Sequence, residues 1–238
     1  MSIRVLAVTT STHRGGVAVV EEGRVLGEAT YADLKGHAEQ LFAALGRALA
    51  GDDADAAAVR SARAQVTALA CDLGPGSFTG VRVGAASLKG IALAAGLPLV
   101  GVGSLEVMAR AAFRLGLVPQ GEVVLATLDA KKGEIFAAAY DDQGAEVLAP
   151  RHLPRGEAGA LIAEVGAPCR VVGEVAADLA DLAPRLLRHP STDLPDAAEV
   201  GRFGAERIAA SAPAALDPAA LEPCYVRAPD AKPMAREL

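Results

Sequence analysis

The residues best placed to do chemistry fall in one run, Gly74-Pro75-Gly76-Ser77-Phe78-Thr79-Gly80-Val81-Arg82-Val83-Gly84. An apolar stretch leads into it and a helical pattern follows. Gly-Pro-Gly therefore opens a helix with free backbone N–H groups and the Ser77 and Thr79 hydroxyls at the positive end of its dipole. Such an end suits an anion or a phosphate, with Arg82 one turn further on. Stricter motifs fail on spacing. A Walker A loop needs Gly-Lys-Ser/Thr, and that triplet is missing from the sequence. In G-x-G-x-x-G the third glycine falls on Thr79, and a G-x-S-x-G elbow around Ser77 would need glycine at Pro75 and Thr79. The plainer alternative is a tight strand-to-helix turn in which glycine only relieves crowding.

Other candidates are sparse. The histidines are His13, His37, His152 and His189, no two of them four apart, and Cys71, Cys169 and Cys224 show no metal-ligand spacing. We expect no metal site and no catalytic residue. Ser77 and Thr79 lack a histidine base nearby in sequence, so helix capping competes with reactivity. Asp129 and Glu134 straddle a turn, either as a carboxylate pair or as charges at a hairpin end. Arg82 and Lys89 could meet a phosphate, a partner carboxylate or only water. His13 and His37 read as surface groups, His37 with an interface role at most. Without an acid–base pair at workable spacing, nothing polarises a carbonyl or phosphoryl group.

The elements that must hold these residues follow from periodicity. Ile3 to Val8 is a buried strand; Val17–Glu21 and Arg24–Tyr31 make a hairpin about Glu22-Gly23. Leu41, Leu45 and Leu49 recur at helical spacing, so 37–50 is an amphipathic helix ended by Gly51-Asp52-Asp53. Gln65 to Asp72 is a strand, 78–95 a helix stopped by Gly96 and Pro98, Leu99–Val102 a strand, and Ser104 begins a helix through Arg114. The order then repeats: strands at 123–129, 134–140 and 145–149, a helix at 157–165, a strand at 170–172 and a helix at 175–182. Ala197 to Ala210 is a last helix, after which Pro213, Pro218, Pro223, Pro229 and Pro233 break the chain into extended pieces. Two successive βββαβα units predict a duplicated α/β body. The lobes are expected at residues 1–105, with the Gly-rich loop and the dimerisation helices, and 106–238, with the last helix packing back on the first lobe.

Composition narrows the function. Of 238 residues, 52% are hydrophobic and none is Trp, so the core is built of Ala, Val and Leu. The net charge of −6 removes any overall basic field that would draw the protein to nucleic acid. Three cysteines, an odd number, argue against a disulfide framework and for a reducing cytoplasm. The opening apolar run is too short for a signal peptide, and no window reaches the roughly 18 to 20 apolar residues of a membrane span. The expectation is a cytoplasmic protein without membrane contact.

One feature of the 78–95 helix asks for compensation. Gly80, Gly84, Ala85, Ser87 and Gly90 leave much of its surface small, and each helix-interior glycine costs about 0.8–1 kcal/mol. Close approach of another backbone, within the chain or across an interface, supplies the return.

The Gly74–Gly84 run resembles the signature of the TsaB (YeaZ) family. Five further blocks stand in the family's order: Leu6-Ala7-Val8-Thr9-Thr10-Ser11-Thr12, His37-Ala38-Glu39-Gln40-Leu41, Gly101-Val102-Gly103-Ser104-Leu105-Glu106, Asp129-Ala130-Lys131-Lys132-Gly133-Glu134-Ile135 and Glu222-Pro223-Cys224-Tyr225-Val226-Arg227. The resemblance implies a two-lobed actin-like ATPase (ribonuclease H-like) fold. It also implies a non-catalytic scaffold subunit that pairs with TsaD in threonylcarbamoyl transfer to adenosine 37 of tRNA, with the ATPase TsaE in a ternary complex. Homodimerisation would use the same face, and tRNA would be met only indirectly. The interface residues it implies are His37, Leu41 and Leu45 on the first helix and Phe78, Gly80, Val81, Gly84, Ser87 and Lys89 on the next. Gly74, Pro75, Gly76, Ser77, Thr79, Gly80 and Arg82 are the candidates for a nucleotide or anion loop. No cofactor belongs to the chain itself; ATP or ADP would sit at the joint with TsaD. On this reading a bulky residue at Gly84 abolishes pairing and leaves the fold intact. The chain departs from the family at Thr9, where Asp is usual and where active relatives of the superfamily hold metal–phosphate; a hydroxyl is a far weaker cation ligand. It also lacks the His-x-x-x-His pair of TsaD. The alternative is an enzyme, metallopeptidase-like or ATP-binding, working through the Gly74–Gly80 loop; a third is a sugar-kinase-like binding module that has lost its activity.

Overall fold

The computed structural model describes residues 2–32, 36–212 and 216–227. Strands β1 (Arg4–Thr9), β2 (Arg14–Glu21) and β3 (Arg24–Ala32) form an antiparallel meander. Glu22 and Gly23 turn the β2–β3 hairpin with φ of 49° and 75°, the sense that matches strand twist. Helices α1 (His37–Ala50) and α2 (Ala56–Arg63) lead to β4 (Ala68–Asp72), then α3 (Phe78–Ala95), β5 (Leu99–Val102) and α4 (Ser104–Arg114). β4 runs parallel to β1 and β5, which closes a five-stranded sheet in the order β3-β2-β1-β4-β5.

The second half rebuilds the same frame with fewer parts. β6 (Val123–Lys131), β7 (Glu134–Tyr140) and β8 (Glu146–Pro154) form the meander, α5 (Ala158–Val165) crosses, and β9 (Cys169–Val172) pairs parallel to β6. The sheet order is β8-β7-β6-β9. Short α6 (Pro190–Asp193) and α7 (Ala197–Ala210) follow.

Each sheet is covered on both faces, which is why Val5–Val8, Ala68–Cys71 and Val123–Ala126 read as unbroken apolar runs. Leu41, Leu45, Leu88 and Ala92 of α1 and α3 pack on Leu6, Val8 and Leu69. α7 returns to the opposite face of the same sheet, setting Val200 and Phe203 against Val5, Ala7 and Ala70. Its glycines make that approach close: a Cβ at Gly204 would stand 2.4 Å from that of Ala70. On the second sheet α4 packs Leu105, Met108 and Ala109 against Val124, Ala126 and Ala138, and α5 sets Leu161 on the far face. α4 and α7 meet as the middle layer. Arg207 pairs with Glu106 at 2.9 Å, Arg110 with Glu206 at 2.8 Å, and Arg114 with Glu199, while the Arg110 guanidinium lies 3.9 Å from the centre of the Phe203 ring. That charged seam joins the lobes.

Several expected elements change. The 175–182 helix is replaced by 3₁₀ turns at 174–178 and 183–185. Val175, Leu179 and Leu182 are buried as a helical stripe would be, but Leu179 and Leu182 bond three residues back, to Ala176 and Leu179. The second unit therefore lacks its final α-helix. β4 begins at Ala68 rather than Gln65, because Gln65 and Val66 N–H groups close the end of α2 on Ala62 and Arg63. α2 itself carries no buried residue and so gives no apolar stripe; Asp55 caps it by accepting from Ala57 and Ala58. β8 runs past Pro150 to Pro154, which an edge strand tolerates. Pro213, Pro229 and Pro233 lie outside the described residues. Among the described residues, no helix is long and apolar enough to cross a membrane.

Candidate functional site

The polar centre of the molecule is Asp72, fully buried at the C-terminal end of β4. Its Oδ2 accepts from the Thr9 hydroxyl at 2.7 Å and the Ser11 hydroxyl at 2.5 Å. Its Oδ1 accepts from the Gly74 N–H at 2.9 Å and the Ser104 hydroxyl at 2.5 Å. An isolated carboxylate in such a place would be costly, and four donors offset that cost. The parallel register brings the end of β1, the Gly-rich loop and the start of α4 to this one group. A carboxylate does stand beside the Thr9 position, supplied from β4 rather than β1. Sequence reasoning passed over Asp72. The available signal was an acid closing an otherwise apolar strand directly before Leu73-Gly74-Pro75.

The loop is packed rather than open. Gly74 has φ +92°, the Gly74–Pro75 bond is cis, and both residues are buried. A Cβ at Gly76 would stand 2.2 Å from the Ser11 carbonyl oxygen. Several of the donors expected to face an anion are engaged inside the chain. Gly74 N–H serves Asp72, Ser77 N–H donates to the Ser11 carbonyl at 2.6 Å, Gly80 N–H donates to the Ser77 hydroxyl at 3.2 Å, and Val81 N–H to the Ser77 carbonyl at 2.9 Å. Ser77 is thus the N-cap of α3. Thr79 is exposed. Arg82 lies 3.6 Å above the Phe78 ring and donates from Nε to the Tyr225 hydroxyl at 2.9 Å.

The interface residues divide, and this corrects the expectation for the glycines. Gly80 and Gly84 are buried against the β1–β2 turn. A Cβ at Gly80 would meet the Thr10 carbonyl oxygen at 2.0 Å, and one at Gly84 the Thr10 hydroxyl oxygen at 2.4 Å. The close backbone approach they permit is therefore within the chain. Leu41, Leu45 and Val81 are core residues at 0%, 6% and 3% exposure. A bulky residue at Gly84 would disturb the fold, contrary to the expectation of an intact one. What faces outward is the other side of the same helices: Phe42 is 61% exposed, Leu93 65% and Phe78 45%. Ala86 and Gly90 are exposed beside Leu93, and nothing stands within 4 Å of a Cβ at Gly90. Ser87 is half-buried, and Lys89 donates to the Ala219 carbonyl at 3.3 Å. His37 opens α1, and its side chain lies outside the described residues.

Between the lobes lies a cavity of about 550 Å³. The Ser11–His13 turn and Pro75–Phe78 line one wall, Leu128–Lys132 and Phe136 the other, and Cys224–Arg227 straps across. The strap holds both lobes: Cys224 N–H donates to the Leu73 carbonyl at 2.8 Å, and Arg227 donates to the Ala130 carbonyl at 3.0 Å. His13 faces Glu174 across the gap at 3.5 Å. Burial pushes the core thiol Cys71 up, with the Asp72 charge adding to it, while Cys224 is exposed.

The remaining candidates are not brought together. His152 Nδ1 lies 3.2 Å from the Val226 carbonyl, and His189 accepts from Ser191 N–H. Asp129 pairs with Lys131 and Arg155, Glu134 with Arg227. Among the described residues, no three His, Cys, Asp or Glu side chains cluster as a metal site would require.

Comparison with known proteins adds the following. The family model described as TsaD, tRNA N6-adenosine threonylcarbamoyltransferase, matches residues 26–153. The Escherichia coli tRNA threonylcarbamoyladenosine biosynthesis protein TsaB is 33% identical over 144 residues, 60% of this chain and 58% of its own length. The matched part is thus little more than half of that relative. An uncharacterised Mycobacterium tuberculosis protein is 33% identical over 97% of this chain and 95% of its own. The crystal structure of YeaZ from Pseudomonas aeruginosa superimposes with a TM-score of 0.72 at 27% identity, covering 94% of this chain and 99% of that one.

Proposed function

The chain belongs to the TsaB (YeaZ) family, and from that membership we propose that it is a non-catalytic subunit of tRNA threonylcarbamoyladenosine synthesis that supports a TsaD-type catalytic subunit. The observation that carries the reading is the outward face of α1 and α3. Two helices packed side by side on one sheet turn Phe42, Leu93 and Phe78 to solvent, while the Gly74, Ser77 and Gly80 N–H groups of the Gly-rich loop donate within the chain. Large exposed apolar side chains on adjoining helices fit a protein–protein contact. The subunit would act by holding its partner in the competent conformation, through tighter binding to that state than to others.

ATP or ADP is then expected at the joint with the TsaD-type subunit, since Gly74, Ser77 and Gly80 N–H groups already have acceptors. A TsaE-type ATPase completes the assembly, and tRNA is held by the other subunits, in keeping with a chain of net charge −6. The test is to co-purify the chain with the TsaD-type subunit of the same cell and assay tRNA modification with and without it. Stable pairing and loss of modification on omission are expected. Full modification in its absence, or hydrolysis of Mg-ATP or peptide by the isolated chain, would overturn the reading.

A further inference from the structure

We propose that Asp72 is the positioning residue of the partner-binding face: it fixes where the first turn of α3 stands by gripping the turn on which that helix is seated. The inference rests on the reading of α1 and α3 as the partner face.

Asp72 reaches α3 through a short relay. Its Oδ2 holds the Ser11 hydroxyl, the Ser11 carbonyl takes the Ser77 N–H at 2.6 Å, and the Ser77 hydroxyl takes the Gly80 N–H at 3.2 Å. Alongside it the Thr10 hydroxyl donates to the Gly80 carbonyl at 2.7 Å, and Gly76 and Gly80 bring the loop and helix against Ser11 and Thr10 without room for a methyl. The other oxygen serves a different purpose. Oδ1 accepts from Gly74 N–H and the Ser104 hydroxyl, and the Gly74 carbonyl takes the Ser104 N–H at 2.8 Å, which ties the loop to α4 on the side away from the α3 cap. One carboxylate therefore has two arms. The Ser11 arm sets α3, whose first turn carries exposed Phe78, stacked by Arg82 from the next turn; the Ser104 arm sets α4, deep in the middle layer.

The two arms can be cut separately. Ser11→Ala and Ser104→Ala each remove one hydroxyl donor from the same carboxylate and strand no donor of their own, so a purely structural role for Asp72 predicts like effects. A positioning role predicts unlike ones. Two readouts apply: affinity for the TsaD-type subunit, and hydrogen exchange in the isolated chain at the Ser77, Gly80 and Val81 amides, with the Leu69 amide, bonded to Pro98, as the core reference. Ser11→Ala is expected to weaken pairing at least tenfold and to speed exchange at the three α3 amides at least tenfold, with Leu69 unchanged. Ser104→Ala should stay within threefold on both. Asp72→Asn should side with Ser11→Ala: its Oδ1 can keep Gly74 and Ser104, but its amide nitrogen cannot accept from the buried Thr9 and Ser11 hydroxyls. Asp72→Ala should exceed Ser11→Ala on both readouts; where it does not fold, the two serine variants and Asp72→Asn decide. Equal behaviour of Ser11→Ala and Ser104→Ala, or wild-type pairing and exchange in folded Asp72→Ala, would overturn the proposal. Failure of the unaltered chain to bind the TsaD-type subunit would instead sink the functional reading, and the exchange data would still judge Asp72.

Discussion

The two sheets start from one plan and end differently. In each, a three-stranded meander is followed by helix, α1 and α2 in the first and α5 in the second, and then by a strand parallel to the first, β4 beside β1 and β9 beside β6. Beyond that strand the copies part. β4 ends in Asp72 and hands the chain to an 18-residue helix and a fifth strand. β9 ends in Val172-Gly173 and hands it to 3₁₀ turns, and a single bridge from Val171 to Leu186 stands where the fifth strand would pair. The first copy keeps a long crossing helix with an outward apolar side. The second has folded its equivalent segment into the core. A duplicated frame has thus been divided into a half that can be recognised and a half that supports it.

If the first copy depends on its seated helix, filling the seat should do the most damage. Gly80→Ala places a methyl 2.0 Å from the Thr10 carbonyl oxygen, a backbone atom that cannot step aside. A loss of about 3 kcal/mol in denaturant unfolding is expected, at the upper end of overpacking. Gly90→Ala, on the open side of the same helix, should instead gain up to about 0.8 kcal/mol. Equal costs at the two positions would erase the distinction between the inner and outer sides of α3. The second copy offers the matching test. Gly173 has φ +112°, and a Cβ there would stand 2.0 Å from the Thr127 carbonyl oxygen. Gly173→Ala should cost a similar amount, about 3 kcal/mol, with partner affinity at permissive temperature unchanged. Lost pairing in a folded Gly173→Ala protein would show that recognition is spread over both halves.

A surface change should have the reverse signature. Leu93→Asp alters a side chain that is 65% exposed, so the melting temperature should hold within a degree or two while affinity for the TsaD-type subunit falls about 30-fold, the scale of an interface hot spot near 2 kcal/mol. Isothermal titration of folded variant with partner checks it. Unchanged affinity would leave the outward face without a role.

Much of the frame was legible in the residues, and the site only in part. α1, α3, α4 and α7 carry apolar periods and clear stops, and the meanders alternate with turn residues, so one-dimensional pattern suffices there. Small residues are different. Gly80 and Gly84 announce that something comes close but not what, and the neighbour turned out to be Thr10, 70 residues away in sequence from Gly80. Sequence spacing also picks out the wrong leucines for a docking face: Leu41 and Leu45 define the helix stripe and are therefore the buried ones, whereas Phe42, off that stripe, is exposed. Asp72 was marked as an acid closing an apolar strand, but its partners were illegible because they meet it only where three strand ends converge. The segment at 175–182 shows the limit from the other side, since burial at every third or fourth residue serves 3₁₀ turns as well as a helix.

The mildest test concerns the seam that joins the halves. Glu106 of α4 is bonded to Arg207 of α7 through both carboxylate oxygens, at 3.1 and 2.9 Å. Burial nevertheless raises its pKa, and the attraction of Arg207 and Arg110 only partly offsets this. A carboxyl whose folded pKa lies above the unfolded value contributes stability that is fully present below the unfolded pKa of about 4.3 and is lost as pH rises through the folded value. At neutral pH the charged form is thus a net cost beside its neutral form. Glu106→Gln removes that cost and keeps an acceptor for Arg207, whose side chain is 40% exposed and can be solvated. Stability at pH 7 should stay within about 1 kcal/mol of the unaltered chain, and the rise that Glu106 contributes on acidification from neutral pH down to its unfolded pKa should disappear from thermal melts. A loss well beyond that at pH 7 would mean that the ion pair itself binds the two halves, and that the second half is more than a support.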